Sequence, residues 1–125
     1  MSNSESVEQA AYLILETLIS TPFEQCLPVG RAFPTLTTRH SLYAVRHRVE
    51  GLLYIGKSQN PRLRFTGGHK ALVWCWLERY EPEDVRIAAY PLSYVQWTQL
   101  SLSLEGLIIQ ATEPPFNVKI PMRDS

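Results

Sequence analysis

Residues 41–57 read SLYAVRHRVEGLLYIGK, and this stretch carries the strongest structural signal in the 125-residue chain. Leu42–His47 and Leu52–Ile55 are short apolar runs that contain Tyr, Val and Ile, which favour β-strands. An Arg-Val-Glu-Gly segment between them suits a turn. The stretch therefore predicts a β-hairpin with Tyr43 and Tyr54, eleven residues apart, on its paired strands.

The segments that follow the hairpin predict helices and further strands. Asn60-Pro61 is typical of a helix start, because Asn caps a helix and Pro suits its first position. Pro114-Pro115 is expected to end a helix, because the residue before a proline disfavours helical geometry. Hydrophobic periodicity predicts a second helix over 69–80, a strand over 83–90, the longest helix over 93–112 and a last edge strand over 116–120.

The N-terminal third of the chain predicts one helix and an extension. Residues 4–20 have the apolar spacing of an amphipathic helix, and prolines interrupt regular patterns over 21–40, which could shelter a short strand. The expected fold is α+β, with a small, mostly antiparallel β-sheet flanked by helices and an extra N-terminal helix. We divide the chain into residues 1–40, a compact unit over 41–120 and a tail over 121–125.

Composition limits the protein class. The length suits one compact domain, and no uncharged apolar run is long enough to span a bilayer. The acidic start, Met1 to Gln9, does not resemble a signal peptide, so we expect a cytoplasmic protein without membrane association. Cys26 and Cys75 are far apart and form no zinc-binding pattern, and both are expected to be buried.

Basic residues are concentrated around the hairpin. The formal net charge of the whole chain is zero, which argues against strong non-specific DNA binding. Residues 39–70, however, contain seven Lys/Arg against one acid, Glu50, which gives a local net charge of +6. The segments on either side each carry a net charge of −3. This distribution predicts a local phosphate-binding face.

Two tyrosines, an arginine and a carboxylate together suggest phosphodiester chemistry. Arg64 follows Tyr54 by ten residues, and its guanidinium could clamp a phosphate through forked hydrogen bonds. Glu105 lies in an otherwise apolar helical stretch, and carboxylates are common ligands of divalent cations. Lys57 directly follows Tyr-Ile-Gly, where it could contact phosphate or lower a tyrosine pKa. Asn117 follows Glu105 by twelve residues, after the proline pair.

The order and spacing of these motifs resemble the GIY-YIG nuclease family over roughly residues 41–120. The resemblance implies that Tyr43 and Tyr54 line the active site, with Tyr43 as the proposed general base. It implies that Arg64 stabilises the phosphate, that Glu105 binds one Mg²⁺ or Mn²⁺ ion and that His69 is also catalytic. The first motif departs from the family pattern, because Ser41-Leu42 replaces Gly-Ile before Tyr43.

The resemblance also implies DNA as the partner. We assign DNA contacts to Lys57, Arg62, Lys70 and Asn117, and Asn117 is further expected to support the local structure of the site. Two function classes remain open: a metal-dependent DNA endonuclease, and a non-catalytic nucleic-acid-binding or regulatory protein that retains the nuclease fold. The sequence is compatible with a monomer or a homodimer.

Overall fold

A computed structural model describes residues 3–29, 36–66 and 68–119. The predicted tail over 121–125 therefore lies outside the described residues. The helices and strands are α1 (Asn3–Ser20), β1 (Leu27–Pro28), β2 (Ser41–His47), β3 (Gly51–Ser58), α2 (Pro61–Thr66), α3 (Lys70–Leu77), β4 (Val85–Pro91), α4 (Ser101–Thr112) and α5 (Pro115–Lys119). None of the helices within these residues is long and apolar enough to cross a membrane.

The strands form a four-stranded antiparallel sheet in the order β1-β4-β2-β3. The predicted hairpin is β2–β3, and its register places Tyr43 opposite Gly56 and Val45 opposite Tyr54. Leu27 of the short strand β1 pairs with Ile87 of β4. The α+β prediction, with an antiparallel sheet and an N-terminal helix, is confirmed. Because β3 is an edge strand, its outer backbone groups are open to side chains from other elements.

Helices cover both faces of the sheet, so the protein has two cores. Successive side chains of β2 point to opposite faces, as the pleat of a strand requires. The core on the side of α2, α3 and α5 includes Tyr43, Val45, Phe65, Leu72, Cys75, Ile87 and Phe116. The core on the side of α1 and α4 includes Ile14, Leu18, Cys26, Leu42, Ala44, Leu104 and Ile108. Both cysteines are buried and free, as predicted.

The predicted helix over 93–112 is present, but it is not a regular α-helix throughout. Its start is capped, because the side chains of Ser93 and Gln96 each accept a hydrogen bond from the other's backbone N–H. A π-helical turn at Gln96–Leu100 then separates this start from α4. The wide turn accompanies tertiary contacts of Trp97, which periodicity does not anticipate. With 18 residues, α1 is the longest described helix.

The predicted edge strand over 116–120 is also wrong. The described part of that segment belongs to α5, whose first residue is Pro115. Proline is suited to this position because its fixed φ is already helical. The backbone N–H of Asn117 bonds to the Pro114 carbonyl at 3.0 Å and closes the first turn. A helix therefore lies beside β3 where a fifth strand was expected.

Candidate active site

Tyr43 and Tyr54 come from the two strands of the hairpin and belong to the same core. Tyr43 is fully buried, and its ring centroid lies 6.2 Å from that of Tyr54. Gly56, opposite Tyr43, makes this arrangement possible: a Cβ atom there would lie 2.5 Å from the Tyr43 hydroxyl oxygen and 2.9 Å from the Tyr54 ring. The sequence analysis did not assign Gly56 a role, although a glycine inside a predicted strand signals a close approach.

His69 joins this pair from the start of α3. It is the N-cap of that helix, and its Nδ1 accepts a hydrogen bond from the Ala71 backbone N–H at 2.9 Å. Its Nε2 lies 2.5 Å from the Tyr43 hydroxyl oxygen. Because Nδ1 accepts, a neutral imidazole carries its proton on Nε2 and donates it to Tyr43.

Burial keeps the His69 imidazole neutral. Only 1% of the residue is exposed, and the Phe65 ring stacks on the imidazole with a centroid separation of 4.6 Å. Burial, and then the charge of Arg64, lowers the pKa of His69 from 6.5 to about 3. His69 is therefore a hydrogen-bond donor to Tyr43 at neutral pH, and neither of its nitrogens is available as a base.

Three of the predicted site residues act electrostatically on the phenol of Tyr43. Burial raises the pKa of Tyr43 well above its usual value, and the negative charges of Tyr54 and Glu105 add to this effect. Arg64, in the last turn of α2, opposes it. Tyr54 also forms a side-chain hydrogen bond with Tyr43. Residues from β3, α2 and α4 are thus close enough to influence the charge of the Tyr43 hydroxyl.

Glu105 approaches from α4, across the outer edge of β3. It is 5% exposed, and burial raises the pKa of its carboxyl group. The positive charge of Lys57 and a hydrogen bond from the Lys57 backbone oppose this shift. The carboxylate therefore lies against the edge strand β3, beside Lys57.

The side chains that could bind a metal ion suit a cation whose other ligands come from solvent and substrate. Among the described residues there is no group of three His, Cys, Asp or Glu that could hold a metal ion. A transition-metal site of the zinc type does not fit there. A single carboxylate such as Glu105 is compatible with Mg²⁺ or Mn²⁺, which commonly combine one or two carboxylates with phosphate oxygens and water.

Asn117 pairs with the edge of β3. Its side-chain Oδ1 accepts a hydrogen bond from the Ile55 N–H, and its Nδ2 donates to the Ile55 carbonyl, both at 2.8 Å. The amide thus satisfies the two backbone groups that a neighbouring strand would otherwise pair. This contact is the supporting role that the family resemblance implies for Asn117, whereas its assigned contact with DNA stays a prediction.

The remaining predicted residues lie around this centre. The Lys57 ammonium lies over the Trp97 ring, 5.0 Å from its centroid, and His40 stacks on the same ring at 5.4 Å. Arg62 is exposed, and its Nε donates to the Leu36 carbonyl at 2.9 Å. Lys70, the first residue of α3, is exposed. Trp97 was not among the predicted site residues.

Comparisons with known proteins agree with this arrangement. Residues 39–119 match the GIY-YIG catalytic domain. No curated protein and no solved structure matched the chain. The domain implies nuclease-type hydrolysis of phosphodiester bonds on a nucleic-acid substrate, and its family generally uses a divalent cation. Because the match covers well over half of the chain, the protein belongs to the GIY-YIG nuclease family.

Proposed function

We propose that the protein is a metal-dependent DNA endonuclease with one Mg²⁺ or Mn²⁺ ion at Glu105. The observation that carries this proposal is that Tyr54, Arg64 and Glu105, from three other elements, all act electrostatically on the buried phenol of Tyr43. Two tyrosines of a structural hairpin need no arginine and no buried carboxylate beside them. A site for phosphodiester hydrolysis needs both, because negative charge develops on the phosphate as water attacks.

Arg64 is assigned to the scissile phosphate. Its guanidinium lies in the last turn of α2 and is half-buried, and it has no ion-pair partner within the described part of the chain. Forked hydrogen bonds to two phosphate oxygens would orient the phosphate towards Tyr43 and stabilise its developing charge.

Tyr43 is assigned to the attacking water. As water attacks phosphorus and the bond to the leaving oxygen breaks, the water proton passes to the Tyr43 oxygen. The proton that Tyr43 releases is taken up by the leaving oxygen, which becomes a hydroxyl group. The Nε2–H of His69 stabilises negative charge on that oxygen throughout. The raised pKa of Tyr43 makes a phenolate formed before the attack unfavourable, so it supports transfer of the proton during the attack.

Glu105 is assigned to the cation. A bound divalent ion would neutralise charge on the phosphate and on the leaving oxygen. Lys57 would hold the carboxylate in place through its backbone hydrogen bond. Arg62, Lys70 and the Lys57 ammonium are the cations assigned to flanking phosphates, and Asn117 keeps its assignment to DNA.

A plasmid-nicking assay tests the function directly. We expect Mg²⁺-dependent nicking that Glu105→Gln reduces by about 10²-fold or more, the scale for losing a main electrostatic stabiliser. Glu113→Gln is the matched control, because Glu113 is exposed and lies at the C-terminal end of the same helix. Binding without any Mg²⁺- or Mn²⁺-dependent cleavage would instead favour the non-catalytic nucleic-acid-binding role.

A further inference from the structure

Lys57 and Glu105 interact without forming an ion pair. The backbone of Lys57 hydrogen-bonds to the carboxylate, and its ammonium is near enough to affect the Glu105 pKa. Arg48 forms ion pairs with Glu24 and Asp84, but no ion pair joins the Lys57 ammonium to the Glu105 carboxylate within the described residues. The Lys57 ammonium lies instead over the face of Trp97, 5.0 Å from the ring centroid. This placement needs a reason, because a nearly buried carboxylate strongly favours a direct cationic partner.

The indole face supplies that reason. An aromatic face attracts an ammonium through the ring quadrupole, and tryptophan does so best. Trp97 is also held in place: it lies in the π-helical turn, it packs against the core on the α4 side, and its ring stacks on His40 with an interplanar angle of 28°. A fixed ring offers the flexible lysine a defined second position beside the carboxylate.

The Lys57 ammonium could pair with Glu105 or lie over the Trp97 ring, and the two positions affect cation binding at Glu105 differently. A direct ion pair would occupy the carboxylate oxygens and cancel the charge that attracts a divalent ion. An ammonium over Trp97 leaves those oxygens available and still contributes positive potential to an approaching phosphate. The geometry of the site therefore separates two positive charges that would otherwise compete for Glu105.

We propose that Trp97 is a positioning residue that holds the Lys57 ammonium away from Glu105, so that the carboxylate stays available to a divalent cation. The proposal rests on the proposed function, because it takes Glu105 as the cation ligand. It extends that function by giving Trp97 and its π-helical turn a role in cation binding. If Trp97 only packed α4, its effect on the cation would not depend on Lys57.

Binding of Mn²⁺ to the free protein tests the proposal without any cleavage reaction. The readout is paramagnetic broadening of the backbone amide signal of Gly106, next to the carboxylate, during a Mn²⁺ titration. We expect Trp97→Leu to weaken Mn²⁺ binding by about fivefold, the range of an exposed cation–π contact. Adding Lys57→Gln to Trp97→Leu should restore wild-type affinity, and Trp97→Phe, which keeps an aromatic face, should stay within about twofold of wild type.

The proposal can still be tested if Trp97→Leu does not fold. Lys57→Gln alone should then change Mn²⁺ affinity by less than about twofold, because the ammonium is already held away from Glu105. A fivefold gain from Lys57→Gln alone, or a Trp97→Leu loss that Lys57→Gln does not reverse, would overturn the proposal. Wild type that binds Mn²⁺ no better than Glu105→Gln would overturn the metal assignment and this proposal together. If wild type binds Mn²⁺ tightly and Trp97→Leu binds it with the same affinity, only the proposed role of Trp97 is overturned.

Discussion

The Tyr43 hydroxyl has no contact with bulk solvent, so its neighbours control its proton. A general base near neutrality would need a lowered tyrosine pKa or a route for its proton. Burial raises the pKa of Tyr43, and the cation that opposes this shift is Arg64, in addition to any metal ion. Proton transfer through Tyr43 during the attack is therefore the better explanation. The His69 N–H, which can only donate, stabilises the Tyr43 oxygen as its proton leaves.

Tyr43→Phe is expected to reduce single-turnover cleavage by roughly 10²-fold, the usual scale for losing a general base. It should also lower the free energy of unfolding by about 1–3 kcal/mol, because the buried His69 N–H loses its acceptor. Tyr54→Phe should reduce the rate less if that tyrosine only positions the phosphate. Single-turnover rates against pH and urea unfolding measure both effects, and a wild-type rate for Tyr43→Phe would reduce Tyr43 to a packing residue.

Gly56→Ala is expected to disturb the site from within the strand. The new methyl group would lie 2.5 Å from the hydroxyl oxygen of a tyrosine that has no free space to move into. Overpacking of this kind costs about 1–3 kcal/mol of stability, and the displaced phenol should lose its contact with His69. Thermal unfolding and cleavage rate are the measurements.

Gly106→Ala is the matched control for that substitution. No atom lies within 4 Å of the position that its Cβ would take, and it lies inside α4 next to Glu105. Alanine should there stabilise the helix by up to about 1 kcal/mol. Equal losses of stability from the two substitutions would contradict the steric role of Gly56.

At the scale of single elements, the start of α3 makes folding sensitive to acid. His69 caps the helix as a neutral imidazole whose pKa is lowered to about 3, whereas the unfolded chain would protonate it near 6.5. Stability is therefore fully present above pH 6.5 and is lost as the pH falls from there towards 3. This residue alone should cost about 2 kcal/mol between pH 8 and pH 5.

Urea unfolding of wild type and His69→Asn at the two pH values measures this contribution. Asparagine also caps helices, so α3 keeps its start, but the titrating group is gone. The acid sensitivity of the variant should be smaller by the amount attributed to His69. The raised pKa of Glu105 has the opposite effect on stability, but it is present in both proteins and cancels in the comparison. Equal pH dependence of the two proteins would show that His69 is not buried as a neutral group.

At the scale of the whole molecule, binding should depend on the basic segment over 39–70 although the net charge is zero. Affinity for duplex DNA should fall with salt by a slope of about −0.9 per neutralised phosphate. Arg62→Ala and Lys70→Ala should each reduce that slope by about one phosphate and leave the chemical step nearly unchanged. Arg64→Ala should instead lower the rate at saturating DNA.

Arg79→Gln is the control for these measurements, because Arg79 is an exposed cation beyond the basic segment. It should leave the salt slope unchanged. Fluorescence anisotropy of a labelled duplex, with Ca²⁺ replacing Mg²⁺ to limit cleavage, gives the slope for each variant. If Arg62 and Arg64 behave alike in binding and in rate, the separation between flanking and scissile phosphates is wrong.

Local sequence patterns were informative wherever neighbouring residues control the backbone. The hairpin and the Asn60-Pro61 helix start follow from turn residues and proline, and the structure confirms them. The same reasoning failed at 116–120, where apolar residues suggested a strand but Pro115 begins a helix. It also missed the π-helical turn at Gln96–Leu100, because that turn accompanies contacts with residues distant in sequence.

The order and spacing of residues along the chain were enough to select two tyrosines, an arginine and a carboxylate as site candidates. The residue types that a reaction needs can be recognised in the sequence itself. The surroundings of these side chains in the folded protein could not be predicted in this way. The donor direction of His69 depends on its place at the start of α3, the clearance at Gly56 depends on strand register, and the position of Lys57 depends on Trp97. Hydrogen-bond direction, clearance and burial are relations between distant segments, so they exist only once the chain has packed.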